Sequence, residues 1–147
     1  MLLGLDARLT PDLLHALASM GHGDQLAIVD ANFPATATAM TTPLGTPLEF
    51  GGTAIQALQA VLSVMPLDTF DAERPAVRAM QMVDQPDTLP EVVRDAVPLV
   101  RAAGQDIALT ERFAFYAAAR ESFVIIHTLE RRFYGNFLLR KGVIAPD

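Results

Sequence analysis

Gly21-His22-Gly23-Asp24 places a histidine between two glycines. Glycines there let the backbone turn tightly and leave the imidazole uncrowded. Histidine is the side chain whose unperturbed pKa lies near neutrality, so this position suits a general acid or base. The same residues also read as a helix stop and turn, Gly21 ending the helix, with a solvent-facing imidazole. Asp30 ends a continuous apolar run, Leu26-Ala27-Ile28-Val29. It can cap the turn at Asn32 or Phe33, or hold a ligand beyond a strand end, and the two roles are compatible. Arg112 falls in the first turn of an expected helix, where a cation opposes the macrodipole by about 0.3–1 kcal/mol. Such a placement points to a ligand as well as to an ordinary surface arginine. Tyr134-Gly135-Asn136 has the composition of a turn, yet Tyr and Asn also supply a donor and acceptors suited to a polyhydroxy ligand. His22, Asp30, Arg112, Tyr134 and Asn136 are therefore the candidate polar cluster.

Other chemistries find no support. The chain has no cysteine, which excludes disulfide scaffolds, iron–sulfur clusters, cysteine nucleophiles and thiolate zinc sites. His15, His22 and His127 are scattered without a metal-ligand spacing. His15 reads as a surface residue and His127 as a sheet-end residue. No Gly-x-Ser-x-Gly elbow is present. Gly51-Gly52-Thr53 opens a helix but is followed by no phosphate-binding lysine, so it is a helix start. Phe113, Phe115 and Tyr116 read as core or interface.

Those residues must be carried by a fold, and 147 residues suffice for one domain, 1–147, with a real core. Half of the chain (51 %) is hydrophobic and 19 % is charged, which excludes a disordered chain. The net charge of −6, without a basic stripe, argues against nucleic acid. Mean hydropathy is +0.29, but Ile55–Leu67 and Phe123–Leu129 are too short for a spanning helix of ~20 residues. The first residues lack the basic segment of a secretion signal, so a cytoplasmic protein is expected. The surplus apolar surface is assigned to a subunit interface.

The elements follow from periodicity. Thr10 caps a first helix with Pro11 at its start, and Leu13, Leu17 and Met20 share a face. Leu26–Val29 reads as a strand buried on both faces. A helix opens after Gly51-Gly52-Thr53 and ends by Pro66. A strand spans 77–83. Thr88 caps a further helix that Pro98 should kink or end. Ile107–Leu109 is a strand, Thr110 caps a helix over 111–121, and 123–126 and 137–140 are strands. Helices alternating with short apolar strands predict an α/β domain with a largely parallel sheet.

Leu17–Asp24 and Asp30-Ala31-Asn32-Phe33-Pro34-Ala35 resemble the start of the RbsD/FucU family of sugar mutarotases. Arg112-Phe113-Ala114-Phe115-Tyr116 and Tyr134–Val143 resemble its distal half. The resemblance implies interconversion of the α and β anomers of a free sugar, with no metal and no cofactor. It implies ring-shaped homo-oligomers, often decamers, with active sites near subunit contacts. By the same resemblance His22 matches the acid/base histidine, Asp30 a sugar-binding carboxylate, Arg112 a sugar-binding position, and Tyr134, Gly135 and Asn136 the sugar-binding triplet. Tyr134 is the expected second proton-transfer group. Arg112 and Gly135 are similar to the L-fucose branch, whereas the ribose pyranase branch has His and Ala there. Ribose pyranose–furanose interconversion and a non-catalytic sugar-binding subunit are the alternatives. Thr36-Ala37-Thr38, Leu129 and the stretch from Pro66 to Gly104 depart from the family pattern.

Overall fold

A computed structural model describes residues 1–147. In chain order the elements are α1 (Pro11–Ser19), β1 (Gln25–Val29), α2 (Ala35–Ala39), β2 (Leu48–Phe50), α3 (Ala54–Leu62), β3 (Val77–Met80), α4 (Glu91–Ala102), β4 (Ile107–Thr110), α5 (Arg112–Arg120), β5 (Val124–Thr128) and β6 (Phe137–Arg140). The strands form one sheet in the order β2-β5-β1-β6-β3-β4. β1–β5, β2–β5 and β3–β4 pair in parallel; β6 runs antiparallel to both its neighbours, β1 and β3.

Alternation along β1 explains why that run is wholly apolar. Successive side chains of a strand point to opposite faces. Leu26 and Ile28 enter a core built with α1, α3 and α4, including Leu13, Leu58, Val61 and Val92. Ala27 and Val29 enter a second core with Ala35, Ala39, Phe115 and Ala119 of α2 and α5. Helices cover both faces of the sheet, and β1 is shielded on both.

Several helix ends differ from the expectation, each for a local reason. Thr10 accepts from the Leu13 amide as expected. α1 stops at Met20 in extended backbone, so Gly21 does not end it with a left-handed turn. The Lys141 ammonium supplies the stop instead, donating to the Leu17 and Met20 carbonyls at 2.7 and 2.6 Å. A cation there offsets the negative helix end. Thr53 forms a capping box with Gln56, as an N-cap should. Glu111, not Thr110, caps α5; its carboxylate accepts from the Phe113 and Ala114 amides, both at 3.0 Å. Pro90, not Thr88, precedes α4. Pro98 neither ends nor divides that helix, which runs to Ala102. Arg94 and Pro98 lie on its exposed face, where the Arg94 carbonyl, deprived of its donor, meets water. Val92, Val93, Ala96 and Val100 hold the opposite face in the core. α2 and β2 were not foreseen. Both are short, and α2 is an Ala-Thr alternation without helical apolar spacing.

Candidate active site

β1 delivers Asp30 to its carboxyl end, and antiparallel β6 begins beside it. That juxtaposition builds a reciprocal pair. The Asp30 amide donates to Asn136 Oδ1 at 2.9 Å, and Asn136 Nδ2 donates to Asp30 Oδ2 at 3.0 Å. The Asn32 amide donates to Asp30 Oδ1 at 3.0 Å, so the turn-capping role holds as well. Asp30 is only 4 % exposed. Burial pushes its carboxyl pKa above the usual carboxylate value, against the pull of hydrogen bonds from Asn32, Asn136, Gly135 and Phe33.

Above this pair lies an open cleft of about 360 Å³, lined among others by Met80, Arg112, Tyr116 and Tyr134. That volume suits a small ligand. Tyr134 sits at φ 64°, in the left-handed region, with its hydroxyl accepting from the Val83 amide at 3.4 Å. Arg112 lies with its guanidinium carbon 4.8 Å from the Phe113 ring centroid. Its Nε is buried and has no hydrogen-bond partner. Buried donors are rarely left unpaired, and this N–H is one of the exceptions. Gly135 lies beneath, where a Cβ would stand 2.8 Å from Glu130 Cγ. A larger cleft, about 520 Å³, is lined by Arg74, Arg78 and Arg140 but also by Asp24, Glu73 and Glu121. It contains none of the five candidate residues.

His22 is elsewhere. It stands before β1, at the other end of the sheet from Asp30. Five strand residues at ~3.3 Å each put about 16 Å between the two ends. The structure therefore brings Asp30, Arg112, Tyr134 and Asn136 together and leaves His22 out, so one chain does not assemble the expected cluster of five. The His22 end has its own construction. Nε2 lies 3.1 Å from Asp68 Oδ1, and the side chain is 47 % exposed. Asp68 is buried; the Phe70 amide donates to its Oδ1 at 3.0 Å and Arg140 Nε to its Oδ2 at 2.8 Å. The Phe70 amide first, and the Arg140 guanidinium next, hold this carboxyl well below the usual carboxylate range. The Phe70 ring meets the imidazole edge-on, centroids 5.4 Å apart. Gly142 lets the chain pass here, since a Cβ would overlap the Leu67 carbonyl.

Asp68 was missed from the sequence. It lies in the stretch after Pro66 where the family pattern is loose. Its signal was an acid enclosed by Met65, Leu67 and Phe70, three apolar residues without helical or strand periodicity. The remaining histidines match expectation: His15 is exposed on α1, and His127 lies one residue before the end of β5 with Nδ1 3.0 Å from Glu49. No group of three or more His, Cys, Asp or Glu could hold a metal ion. No helix is long and apolar enough to cross a membrane.

Comparison with known proteins gives the chain relatives along its whole length. The model of the RbsD / FucU transport protein family matches residues 4–144. A fucose mutarotase from Danio rerio is 39 % identical over 151 residues, covering 100 % of this chain and 97 % of the relative. The crystal structure of protein Atu2016 superposes with a TM-score of 0.92 at 44 % identity, covering 99 % of this chain and 97 % of the other. The fucose mutarotase of Streptococcus pneumoniae, solved in complex with L-fucose, gives a TM-score of 0.82 at 27 % identity, covering 98 % and 100 %. With matching motifs, matching fold and full-length relatives, the chain is a member of the RbsD/FucU family.

Proposed function

We propose that this protein is a sugar mutarotase, an isomerase that interconverts the α and β anomers of L-fucose. The observation that carries the reading is the sugar-sized cleft lined by the Asp30–Asn136 pair, Arg112 and Tyr134. Relatives named fucose mutarotase supply the reaction and the sugar.

The chemistry is that of a cyclic hemiacetal. A base removes the anomeric hydroxyl proton while the bond from C1 to the ring oxygen breaks, and an acid protonates that oxygen. The open-chain aldehyde turns about C1–C2, and reclosure on its other face reverses both transfers. Asp68 accepts from His22 Nε2–H, which leaves Nδ1 with its lone pair free to act as the base. The imidazolium that forms then faces a carboxylate. The Tyr134 hydroxyl accepts from the Val83 amide, so its own proton is free for the ring oxygen, directly or through a water. Asp30, Arg112 and Asn136 hold ring hydroxyls, and Gly135 lets the backbone pass beneath. Positioned acid and base groups contribute ~10²–10⁴-fold.

His22 and Tyr134 can serve one sugar only if two copies meet, the His22 end of one against the Asp30 end of the next. Exposed apolar side chains stand at both ends: Phe70 beside His22 (71 % exposed), Phe113 and Phe133 beside the cleft (67 % and 76 %). A head-to-tail contact closes into a ring where the rotation between copies completes a full turn. We take the assembly to be such a homo-oligomeric ring, a decamer by family resemblance. The same reading takes the cytoplasm as its setting, alongside other enzymes of sugar metabolism.

Saturation-transfer NMR on free L-fucose, galactose and ribose tests the activity. Faster α/β exchange on fucose is expected, unaffected by a chelator. No acceleration on any of the three sugars would defeat the enzymatic reading. Light scattering tests the assembly, and a mass near 15.9 kDa at micromolar concentration would reject the ring.

A further inference from the structure

Glu130 is 3 % exposed and takes none of the roles above. Its carbonyl accepts from the Ala31 amide at 2.9 Å, one residue beyond Asp30. Arg132 grips its carboxylate twice, Nε to Oε1 at 3.0 Å and Nη2 to Oε2 at 3.1 Å. The Arg132 amide donates to Oε1 as well, at 3.1 Å. The other arm of Arg132 reaches α4, with Nη1 3.2 Å from Glu91 Oε1 and 2.7 Å from Asp95 Oδ2. Burial pulls the Glu130 carboxyl pKa upward, but the hydrogen bonds from Arg132 outweigh it, and the group stays below its ordinary value.

This hub lies directly beneath the sugar cleft. The nearest atom to a Cβ placed on Gly135 is Glu130 Cγ, at 2.8 Å; Asp30 Cβ and Val92 Cγ1 follow at 3.5 and 3.6 Å. Gly135 therefore rests on the Glu130 stem. On either side of it are Tyr134, held in the left-handed region, and Asn136, paired with Asp30. A non-glycine residue persists in that conformation only where its surroundings fix it. A buried carboxylate is a costly way to fill space, since an apolar side chain fills it without desolvating charge. What a hydrophobe lacks is a directional link, here through Arg132 to α4.

We propose that Glu130 is a positioning residue of the sugar site: its side chain, tied by Arg132 to α4, is the floor that sets the height of Tyr134 and Asn136 over Asp30. This rests on the mutarotase reading for its activity readout, but the geometry can be read without it.

Glu130→Ala removes both the floor and the link. A misplacement of about 1 Å can cost on the order of 100-fold in rate, and a loss of that size in fucose exchange is expected. The amide resonances of Ala31 and of 134–136 should move, while those of His22 and Asp68 stay. Glu130→Gln keeps Cγ and an Oε1 acceptor, so it should retain most of the rate. Gly135→Ala should be costly in the native background and markedly less so beside Glu130→Ala, where the overlapping atom is gone. Three outcomes would overturn the proposal: unmoved 134–136 amides in Glu130→Ala, a Gly135→Ala cost that is the same in both backgrounds, or a Gln variant as impaired as the Ala variant. If Glu130→Ala does not fold, the Gln and Gly135→Ala variants still decide. If the native protein fails to exchange fucose, the mutarotase reading fails, and the amide shifts alone judge the role of Glu130.

Discussion

The two ends of β1 carry two buried aspartates that behave in opposite ways. Asp30 is surrounded by neutral donors and no cation pairs with it, so burial wins and its pKa rises. Asp68 is equally enclosed but receives a backbone amide and a guanidinium, and its pKa falls. Depth alone does not fix the state of a carboxylate; its partners do. The difference suits the proposed division of labour. A carboxylate held by neutral amides can exchange them for sugar hydroxyls, whereas one fixed by Arg140 is a permanent charge that orients an imidazole.

The largest test of that division is His22→Gln. Exchange should fall by about 10³-fold, within the usual range for acid–base groups, while fucose affinity measured calorimetrically stays nearly unchanged. Subunits carrying His22→Gln, assembled together with subunits carrying Asp30→Asn, should recover activity that neither has alone. Failure to recover it would mean that the two ends do not meet across copies.

Asp30→Asn should weaken fucose binding by roughly 10–100-fold, since a hydrogen bond to a charged group contributes about 1.5–3 kcal/mol. Equal affinity losses in the His22 and Asp30 variants would erase the distinction between the ends. Acidity sharpens it further. Because the Asp30 pKa is raised, fucose affinity should decline on acidification at a higher pH than an ordinary aspartate would give. Asp68 remains ionised through that range. The stability signs are opposite too. The contribution of Asp68 is present above the unfolded value of about 3.9 and is lost as pH falls through its depressed folded value. That of Asp30 is present below the unfolded value and lost as pH rises through the raised one. Removing the ionisable group with Asp30→Asn should therefore lessen the fall in melting temperature between pH 5 and pH 8. Calorimetric scans at the two pH values check it.

The smallest expected effect concerns sugar choice. Arg112→His replaces a five-donor fork with a shorter imidazole. It should shift the fucose-to-ribose ratio of exchange rates roughly tenfold toward ribose, given ~1–3 kcal/mol for an unpaired buried donor. An unchanged ratio, with both rates intact, would return Arg112 to the status of a surface residue.

Much of this was legible in the sequence because the signals were local. Leu26–Val29 announced a strand buried on both faces, Asp30 stood beyond its carboxyl end, and Tyr134 and Asn136 offered a donor and acceptors just before the last strand. Arg112 was singled out by its position against the helix dipole, and it lines the cleft with Asp30, Tyr134 and Asn136. What stayed hidden was relational. Nothing local to Gly21-His22-Gly23 says that this turn lies at the far end of the strand that presents Asp30. Asp68 gains meaning only beside His22 and Arg140, which are 46 and 72 residues away. The end of α1 was misassigned to Gly21 because its true partner, Lys141, arrives from the last strand.

That strand, β6, has a consequence for how the molecule comes into being. It lies between β1 and β3, so without it the sheet falls into two separate pieces, β2-β5-β1 and β3-β4. β6 also carries Asn136 just before its first residue and Arg140 at its last, one serving each end of the sheet. Synthesis runs from the N-terminus, so a nascent chain can hold all five of its helices and five of its six strands without a continuous sheet or either polar centre. Insertion of residues 136–141 closes the domain, pairs Asp30 and pairs Asp68 in a single event. A chain interrupted before that point would be left as two half-sheets, each with an unpaired edge open to other chains.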